Sequence, residues 1–233
     1  MRIQLTVAFV ILALVESRAA DAQGEIRKAI QLLGNQANYS WNSTTKSEAS
    51  SSVSRQGPTT GMTEQNGDTH FRFTLDGNPV EVAIRGTKSA IKTETAWESA
   101  EDLRGERQWI ARRLQAFKPP VAEAEDLLRA AKPIRSERGG IFTADLTPQG
   151  VTELLLARSR NDLQTRVSPG AKGSVKLWTK NGLLVKYEYS LQGKIVLTDH
   201  KQEFNVSRTT TVEIKDVGTT KIRLPEEARQ KLS

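Results

Sequence analysis

The stretch Val175–Leu191, V-K-L-W-T-K-N-G-L-L-V-K-Y-E-Y-S-L, indicates the fold more clearly than any other part of the chain. Its central Asn181-Gly182 is a preferred two-residue hairpin turn, because both residues accept the positive φ that such a turn requires. The residues after the turn alternate between apolar and polar, which predicts a half-buried antiparallel strand. We predict that Leu183, Val185, Tyr187, Tyr189 and Leu191 face one way, and that Leu184, Lys186, Glu188, Ser190 and Gln192 face the other.

Segments of the same alternating kind lie on both sides of this hairpin. Turn chemistry separates them at Asp76-Gly77-Asn78-Pro79, and Gln192-Gly193 is predicted to be a further turn. Closely spaced strands predict an antiparallel meander. The predicted strands are Tyr39–Trp41, Phe71–Leu75, Val80–Ile84, Ser89–Thr93, Ile141–Leu146, Val175–Thr179, Leu183–Leu191, Lys194–Thr198, Val206–Ile214 and Val217–Leu224.

Helical periodicity occurs at the N-terminal side and between the two groups of strands. The helices between Thr95 and Arg160 are predicted to cover the apolar face of the sheet. The fold class is therefore α+β, one large curved antiparallel sheet with helices on its concave face. The predicted helices are Gln23–Leu33, one through Trp97 and Leu103 that begins with a Thr95/Glu98 capping box, one through Ile110 and Phe117 that ends before Pro119, Val121–Lys132, one that starts at Thr147-Pro148, and a last short one after Pro225.

The composition excludes several classes of protein. The 233 residues include no cysteine and two histidines, so there is no disulfide framework, thiol nucleophile or cysteine-based zinc site. No P-loop, G-x-G-x-x-G or G-x-S-x-G occurs, and Ser43-x-x-Lys46 lacks the S-D-N and K-T-G elements that would make it an acyl-enzyme motif. We predict a protein with no catalytic residue, metal or cofactor. An enzyme with unrecognised acid–base groups is a weaker alternative.

Residues 1–22 have the features of a secretory signal peptide. Met1-Arg2 is basic, Ile3–Val15 is largely apolar, and Ala20-Asp21-Ala22 matches the A-x-A cleavage pattern. The apolar run would be about 20 Å long as a helix, which is short for a hydrocarbon core of about 30 Å, so a signal is favoured over a membrane anchor. We predict cleavage before Gln23, a single domain over residues 23–233, and a periplasmic or secreted location.

The formal charge of +7 favours an anionic partner, and export argues against nucleic acid as that partner. One concentration of positive charge falls on the predicted central helices. It could contact anionic lipid or an acidic protein, or it could be an ordinary solvated helix face. The residues of this basic face are Arg104, Arg107, Arg112, Arg113 and Lys118.

Three segments resemble a known family. Lys176–Leu191, Thr211–Gly218 and Lys221–Ala228 are similar to the C-terminal half of LolA/LppX-like periplasmic carriers, the outer-membrane lipoprotein-sorting-like proteins. The signal, the Trp41 strand and the central helices fit the same plan over most of the mature chain. The resemblance implies an incomplete antiparallel β-barrel whose concave apolar face is closed by helices and holds lipid acyl chains or lipoprotein anchors. No arginine of this chain can be matched to the buried arginine of the lipoprotein chaperones.

The apolar face of the predicted sheet supplies candidate cavity-lining residues, although the same residues could fill an ordinary core. Tyr187 and Tyr189 are the more suggestive members, because a buried hydroxyl needs a hydrogen-bond partner. The candidates are Phe71, Phe73, Val80, Val82, Ile84, Leu183, Val185, Tyr187, Tyr189 and Leu191.

Two functions from different classes follow. The first is a monomeric, non-enzymatic periplasmic protein that sequesters lipid or lipoprotein acyl chains, as in envelope lipid or lipoprotein trafficking. The alternative is an envelope structural or protein-interaction module with a filled core, which binds an anionic partner through the basic face. Envelope proteins and a peripheral membrane contact are further partners that the sequence leaves open. A cavity of several hundred Å³ would favour the first function.

Overall fold

The computed structural model describes residues 21–48, 57–75, 77–92, 96–157, 165–197 and 202–233. Twelve strands lie within these ranges. They are β1 (Asn38–Ser47), β2 (Thr59–Glu64), β3 (Thr69–Leu75), β4 (Asn78–Arg85), β5 (Lys88–Lys92), β6 (Trp97–Ser99), β7 (Arg135–Glu137), β8 (Ile141–Asp145), β9 (Thr165–Val167), β10 (Lys172–Lys180), β11 (Leu183–Leu197) and β12 (Gln202–Lys215).

All of these strands join one open antiparallel sheet, in the order β6-β5-β4-β3-β2-β1-β12-β11-β10-β8-β7, with β9 paired to the end of β11. The sheet does not close on itself within the described ranges, where β6 and β7 are its edges. The predicted α+β architecture of an incomplete antiparallel barrel with helices is confirmed. The long central strands β11 and β12 connect an N-terminal group of consecutive strands to a C-terminal group.

The helical layer packs on one face of this sheet, which we call the concave face. It contains α1 (residues 21–34), α2 (Gln108–Gln115), α3 (Pro120–Ala130) and α4 (Pro148–Leu156). Thr147 caps α4 as predicted, accepting a hydrogen bond from the Gly150 backbone N–H at 3.0 Å. The prediction that the central helices alone cover the apolar face was incomplete, because Ile26, Ile30 and Leu33 of α1 are fully buried in the same core.

The Asn181-Gly182 hairpin is confirmed, with φ angles of 53° and 76° at the two turn residues. The predicted facing of β11 is correct from Tyr187 to Leu191 but wrong nearer the turn. Trp178 pairs with Lys186 whereas Thr179 pairs with Leu184, so Val185 is an extra residue in the strand. This β-bulge reverses the alternation, and Leu184 is buried in place of Val185.

The predicted turn at Gln192-Gly193 is also wrong, since β11 continues to Leu197. Position 193 suits a glycine because neighbouring residues pack closely against its Cα. A Cβ at this position would come within 3.0 Å of both Ala171 Cβ and Leu155 Cδ1. This glycine therefore permits close packing within a continuous strand and does not reverse the chain.

A second apolar cluster lies on the opposite face of the sheet. Ala83 and Ala90 pair across β4 and β5 on that face, and they pack with Trp97 and with helix α5 (Glu226–Lys231), including Ala228. The predicted helix through Trp97 is wrong, because Trp97 lies in β6, pairs with Lys92 of β5 and packs into this cluster. A 3-10 turn starts only at Ala100, and Thr95 lies outside the described residues.

The segment after β12 was predicted to be a strand and is not one. Its end, Leu224, is buried against the same cluster, and the predicted short helix after Pro225 follows as α5. The chain therefore uses this segment to bring α5 across the sheet.

The predicted signal peptide lies largely in residues 1–20, outside the described part of the chain. The description begins within α1, where Ala22 is buried in the main core. Cleavage before Gln23 remains a prediction. Across the described ranges, each helix is too short or too polar to cross a bilayer.

The central part of the sheet depends on a glycine. Gly61 lies between Trp41 and Phe71 on neighbouring strands, and the Trp41 indole ring covers its Cα. A Cβ at this position would overlap the indole and come within 2.9 Å of Phe71 Cβ.

We therefore predict that Gly61→Ala lowers the free energy of unfolding by about 1–3 kcal/mol through overpacking. Urea denaturation measures this change. Gly24→Ala is the matched control, because a Cβ there meets nothing within 4 Å and the helix gains up to about 1 kcal/mol. Equal stability of Gly61→Ala and the parent protein would contradict the packing described.

Candidate functional site

A cavity of about 450 Å³ lies between the concave face of the sheet and the helical layer. Its sheet side comes from β1, β2, β3, β11 and β12, and its helix side comes from α2, α3, α4 and the short connection after α2. The volume is within the range of 300–1,000 Å³ that is usual for small-molecule sites.

Strand pairing arranges the sheet side of the cavity in successive rows. Trp41, Ser43 and Thr45 follow one another along the concave face of β1. Trp41 lies beside Gly61, Ser43 lies opposite Val212, and Thr45 lies opposite Thr210. Ser47, the next residue of that face, lies opposite Arg208. Each step of two residues is close to 7 Å, so the lining spans about 20 Å along the strands.

The first row is aromatic. The ring centroids of Phe71 and Phe117 are 4.6 Å apart with nearly parallel planes, and Trp41 lies 6.1 Å from each of them. Phe73 extends the same aromatic group along β3, 6.1 Å from Phe71. The Trp41 N–H donates to Thr63 Oγ1 at 3.1 Å, which satisfies the one polar atom of the indole. This end of the cavity is therefore an apolar, aromatic surface.

A carboxylate and two tyrosine hydroxyls lie near the middle of the cavity. Glu123, in the first turn of α3, accepts hydrogen bonds from the hydroxyls of Tyr187 at 2.7 Å and Tyr189 at 2.9 Å. Burial, followed by the nearby Glu123 carboxylate, raises the pKa of Tyr187 well above its ordinary value. Burial also raises the pKa of Tyr39 to about 12. The Tyr187 hydroxyl therefore stays protonated and donates to Glu123 at neutral pH.

The charged residues of the cavity lining carry a net positive charge. The cations are Arg112, Arg113, Lys118 and Arg208, and the anions are Glu123 and Asp126. Lys118 is ion-paired with Asp126, and the Arg113 guanidinium lies 5.8 Å from the centroid of the Trp109 ring. Arg208 Nη2 donates to the Leu154 carbonyl at 3.1 Å, in the last turn of α4.

The structure brings part of the predicted lining set into the cavity. Phe71, Phe73, Tyr187 and Tyr189 line it. Val82 and Leu191 are fully buried in the surrounding core, while Val80, Ile84 and Leu183 are half-buried against that core. Val185 is the bulge residue and does not line the cavity. The residues predicted to form a single lining therefore belong partly to the cavity and partly to the core.

The predicted basic face divides in the same way. Arg112, Arg113 and Lys118 line the cavity. Arg104 donates to the Leu103 carbonyl at 3.1 Å, and Arg107 is paired with Glu98 at 3.1 Å, both outside the cavity.

Sequence reasoning missed three of the charged cavity residues, Glu123, Asp126 and Arg208. Glu123 and Asp126 lie within the predicted helix Val121–Lys132, and nothing in the sequence pairs Glu123 with the two tyrosines. Arg208 shares its facing with Thr210 and Val212, so the alternation of β12 was the signal that could have found it.

The solved structures that match this chain include the following three. Lipoprotein LppX of Mycobacterium tuberculosis has 12% sequence identity and a TM-score of 0.47, over 87% of this chain and 98% of its own. LprF of Mycobacterium bovis has 10% identity and a TM-score of 0.48, over 90% and 98%. A LolA superfamily protein of Nitrosomonas europaea has 11% identity and a TM-score of 0.36, over 87% and 94%. Two of these structures, those of LppX and of the LolA superfamily protein, carry the names of the family that the sequence motifs resemble. No family model matches the sequence, and no curated protein matches it.

The raised tyrosine pKa values predict a loss of stability in strong base. The unfolded chain ionises its tyrosines near pH 10, whereas burial raises the pKa of folded Tyr39 to about 12 and the pKa of folded Tyr187 well above its ordinary value. The stability that the protonated tyrosines contribute is therefore fully present below pH 10, and it is lost as the pH rises through the pKa values of the folded protein. We expect less tyrosinate absorbance from the native protein than from the denatured protein between pH 10 and 12. Superimposable titrations of the two states would contradict this prediction.

The contact between Glu123 and the tyrosines predicts a measurable stabilisation. Glu123→Gln removes the charge from two hydrogen bonds, and we expect a loss of about 1–3 kcal/mol in the free energy of unfolding. Glu125→Gln on the exposed side of the same helix is the control and should change stability by less than about 0.5 kcal/mol. Equal effects of the two substitutions in urea denaturation would contradict the role given to Glu123.

Proposed function

We propose that this chain is a non-enzymatic carrier that sequesters the acyl chains of lipids or lipoproteins in the cavity between its sheet and its helices. The observation that supports this most directly is the cavity itself, about 450 Å³ in volume with an aromatic surface at one end. The resemblance of the chain's sequence motifs to LolA/LppX-like carriers agrees with such a role. The predicted signal peptide would place the carrier in the periplasm or outside the cell.

The dimensions of the cavity suit an acyl chain. The lining spans about 20 Å along the strands, and one leaflet of a bilayer, half of a hydrocarbon core of about 30 Å, accommodates an acyl chain in about 15 Å. Each methylene group removed from water stabilises a complex by about 0.8 kcal/mol, so a long acyl chain contributes on the order of 10 kcal/mol before ordering costs. Burial of the chain alone can therefore supply a useful affinity.

The alternative function, a filled core that binds a partner through a basic face, has less support. The alternative requires packed side chains between the sheet and the helices, but a cavity of this size lies there. Moreover, Arg112, Arg113 and Lys118 of the basic face contribute to the cavity lining. We infer that these cations serve the bound ligand or the entrance through which it passes.

We propose that the helical layer moves during entry and release of the ligand. α2 and the residues after it supply Trp109, Leu114 and Phe117 to the cavity, and Pro119 separates this segment from α3, which begins at Pro120. We propose that α2 opens as a lid while α3 stays tied to β11 through Glu123.

A substitution that fills the cavity tests the proposal. Ser43 lines the cavity on β1, whereas the next residue, Thr44, is exposed on the opposite face of the same strand. We predict that Ser43→Phe weakens binding of a fluorescent acyl-chain probe at least tenfold, because the ring takes the volume of the acyl chain. Thr44→Phe adds the same ring outside the cavity and should leave binding unchanged.

Urea denaturation of both variants separates a blocked cavity from a damaged fold. Probe binding that survives Ser43→Phe in a folded protein would place the ligand elsewhere. A parent protein that takes up no acyl-chain probe would overturn the proposed function.

A further inference from the structure

The two ends of the cavity differ in chemistry. One end is the stacked group of Trp41, Phe71 and Phe117, which presents ring faces. At the other end, three rows further along the strands, the sheet contributes Arg208, and the helix side contributes Leu154 and Ala157 of the α4 region. The distance between the first and last rows is about 20 Å. A ligand that fills the cavity therefore meets an apolar surface at one end and a cation at the other.

Arg208 is held in place at this end by two elements. It is on the concave face of β12, two residues from Thr210 and four from Val212, so its side chain faces the cavity. Its Nη2 donates to the Leu154 carbonyl at 3.1 Å, where a cation near a helix C-terminus is favourable. This contact fixes the position of the guanidinium before a ligand arrives, which reduces the ordering cost of binding.

The remaining charges of the cavity bear on the charge of the ligand. Asp126 is ion-paired with Lys118, and Glu123 accepts hydrogen bonds from both tyrosine hydroxyls. The cavity lining as a whole has four cations against these two carboxylates. The excess positive charge favours an anionic ligand.

We propose that the cavity takes an amphiphile with an anionic head, a carboxylate or a phosphate, in one orientation. The head binds the Arg208 guanidinium, whose planar N–H donors match the oxygens of either group, and the acyl tail ends among Trp41, Phe71 and Phe117. This inference rests on the proposed function and adds the charge of the ligand and its direction in the cavity.

A pair of ligands with the same acyl chain tests the charge. Dodecanoate and dodecanol differ in the head alone, and isothermal titration calorimetry of the mature chain measures both affinities. We expect dodecanoate to bind at least tenfold more tightly than dodecanol. Arg208→Met should remove this preference by weakening dodecanoate binding about tenfold while dodecanol binding stays the same. Dodecyl phosphate should behave like dodecanoate, and inorganic phosphate alone should bind at least tenfold more weakly than dodecyl phosphate.

Lys215→Met is the matched control, because it removes one positive charge from the same strand outside the cavity. It should retain the preference for dodecanoate. A parent protein that binds both ligands equally, or a preference that survives Arg208→Met, would overturn the inference and leave the proposed function standing. Inorganic phosphate that binds as tightly as dodecyl phosphate would also overturn it, since the site would then hold a free anion. Binding of neither dodecanoate nor dodecanol would overturn the proposed function as well.

The orientation can be tested on the parent protein, without relying on the folding of an Arg208 variant. A fatty acid with bromine on its terminal carbon should quench tryptophan fluorescence more strongly than the same acid with bromine beside the carboxylate. Trp41→Phe should reduce this difference, because Trp41 lies at the tail end. Stronger quenching by bromine beside the carboxylate would reverse the orientation and overturn the inference.

Discussion

The hydrogen bonds from Tyr187 and Tyr189 to Glu123 fix the position of α3 relative to the sheet. The two phenol rings rise from the concave face of β11, and their hydroxyls meet a carboxylate in the first turn of α3. α3 could lie closer to the strands only by breaking these two charge-assisted hydrogen bonds, which would cost about 1–3 kcal/mol. The same contact accounts for both the packing of α3 and the cavity beside it.

The rest of the architecture follows from alternation in an antiparallel sheet. One face carries the apolar rows that α1, α2, α3 and α4 cover, and part of the other face is covered by α5. Gly61 shows how closely the main face is packed, since the Trp41 ring occupies the space of its missing side chain. The cavity is therefore bordered by tightly packed strands on one side and by helices that side-chain contacts hold away from the sheet on the other.

Local patterns in the sequence predict much of this fold, and they fail where packing between distant segments decides. The Asn181-Gly182 turn and the facing of Tyr187 and Tyr189 follow from residues close in sequence. The bulge at Val185 depends on pairing with β10, and the extended conformation of Trp97 depends on contacts with β5 and α5. The site could be predicted only in part, because it too is formed by segments that are distant in sequence. The two tyrosines were visible as inward-facing residues, whereas their partner Glu123 is 64 residues from Tyr187 in sequence.

We propose that the space between the sheet and the helices holds acyl chains. Native mass spectrometry is the most direct test, because it detects a bound ligand by its mass. The mature chain, purified after periplasmic expression under conditions that preserve bound lipid, should carry a discrete added mass. Organic extraction should release that mass as a molecule with an acyl chain. A bare polypeptide mass, together with no uptake of an added acyl-chain ligand, would contradict the account.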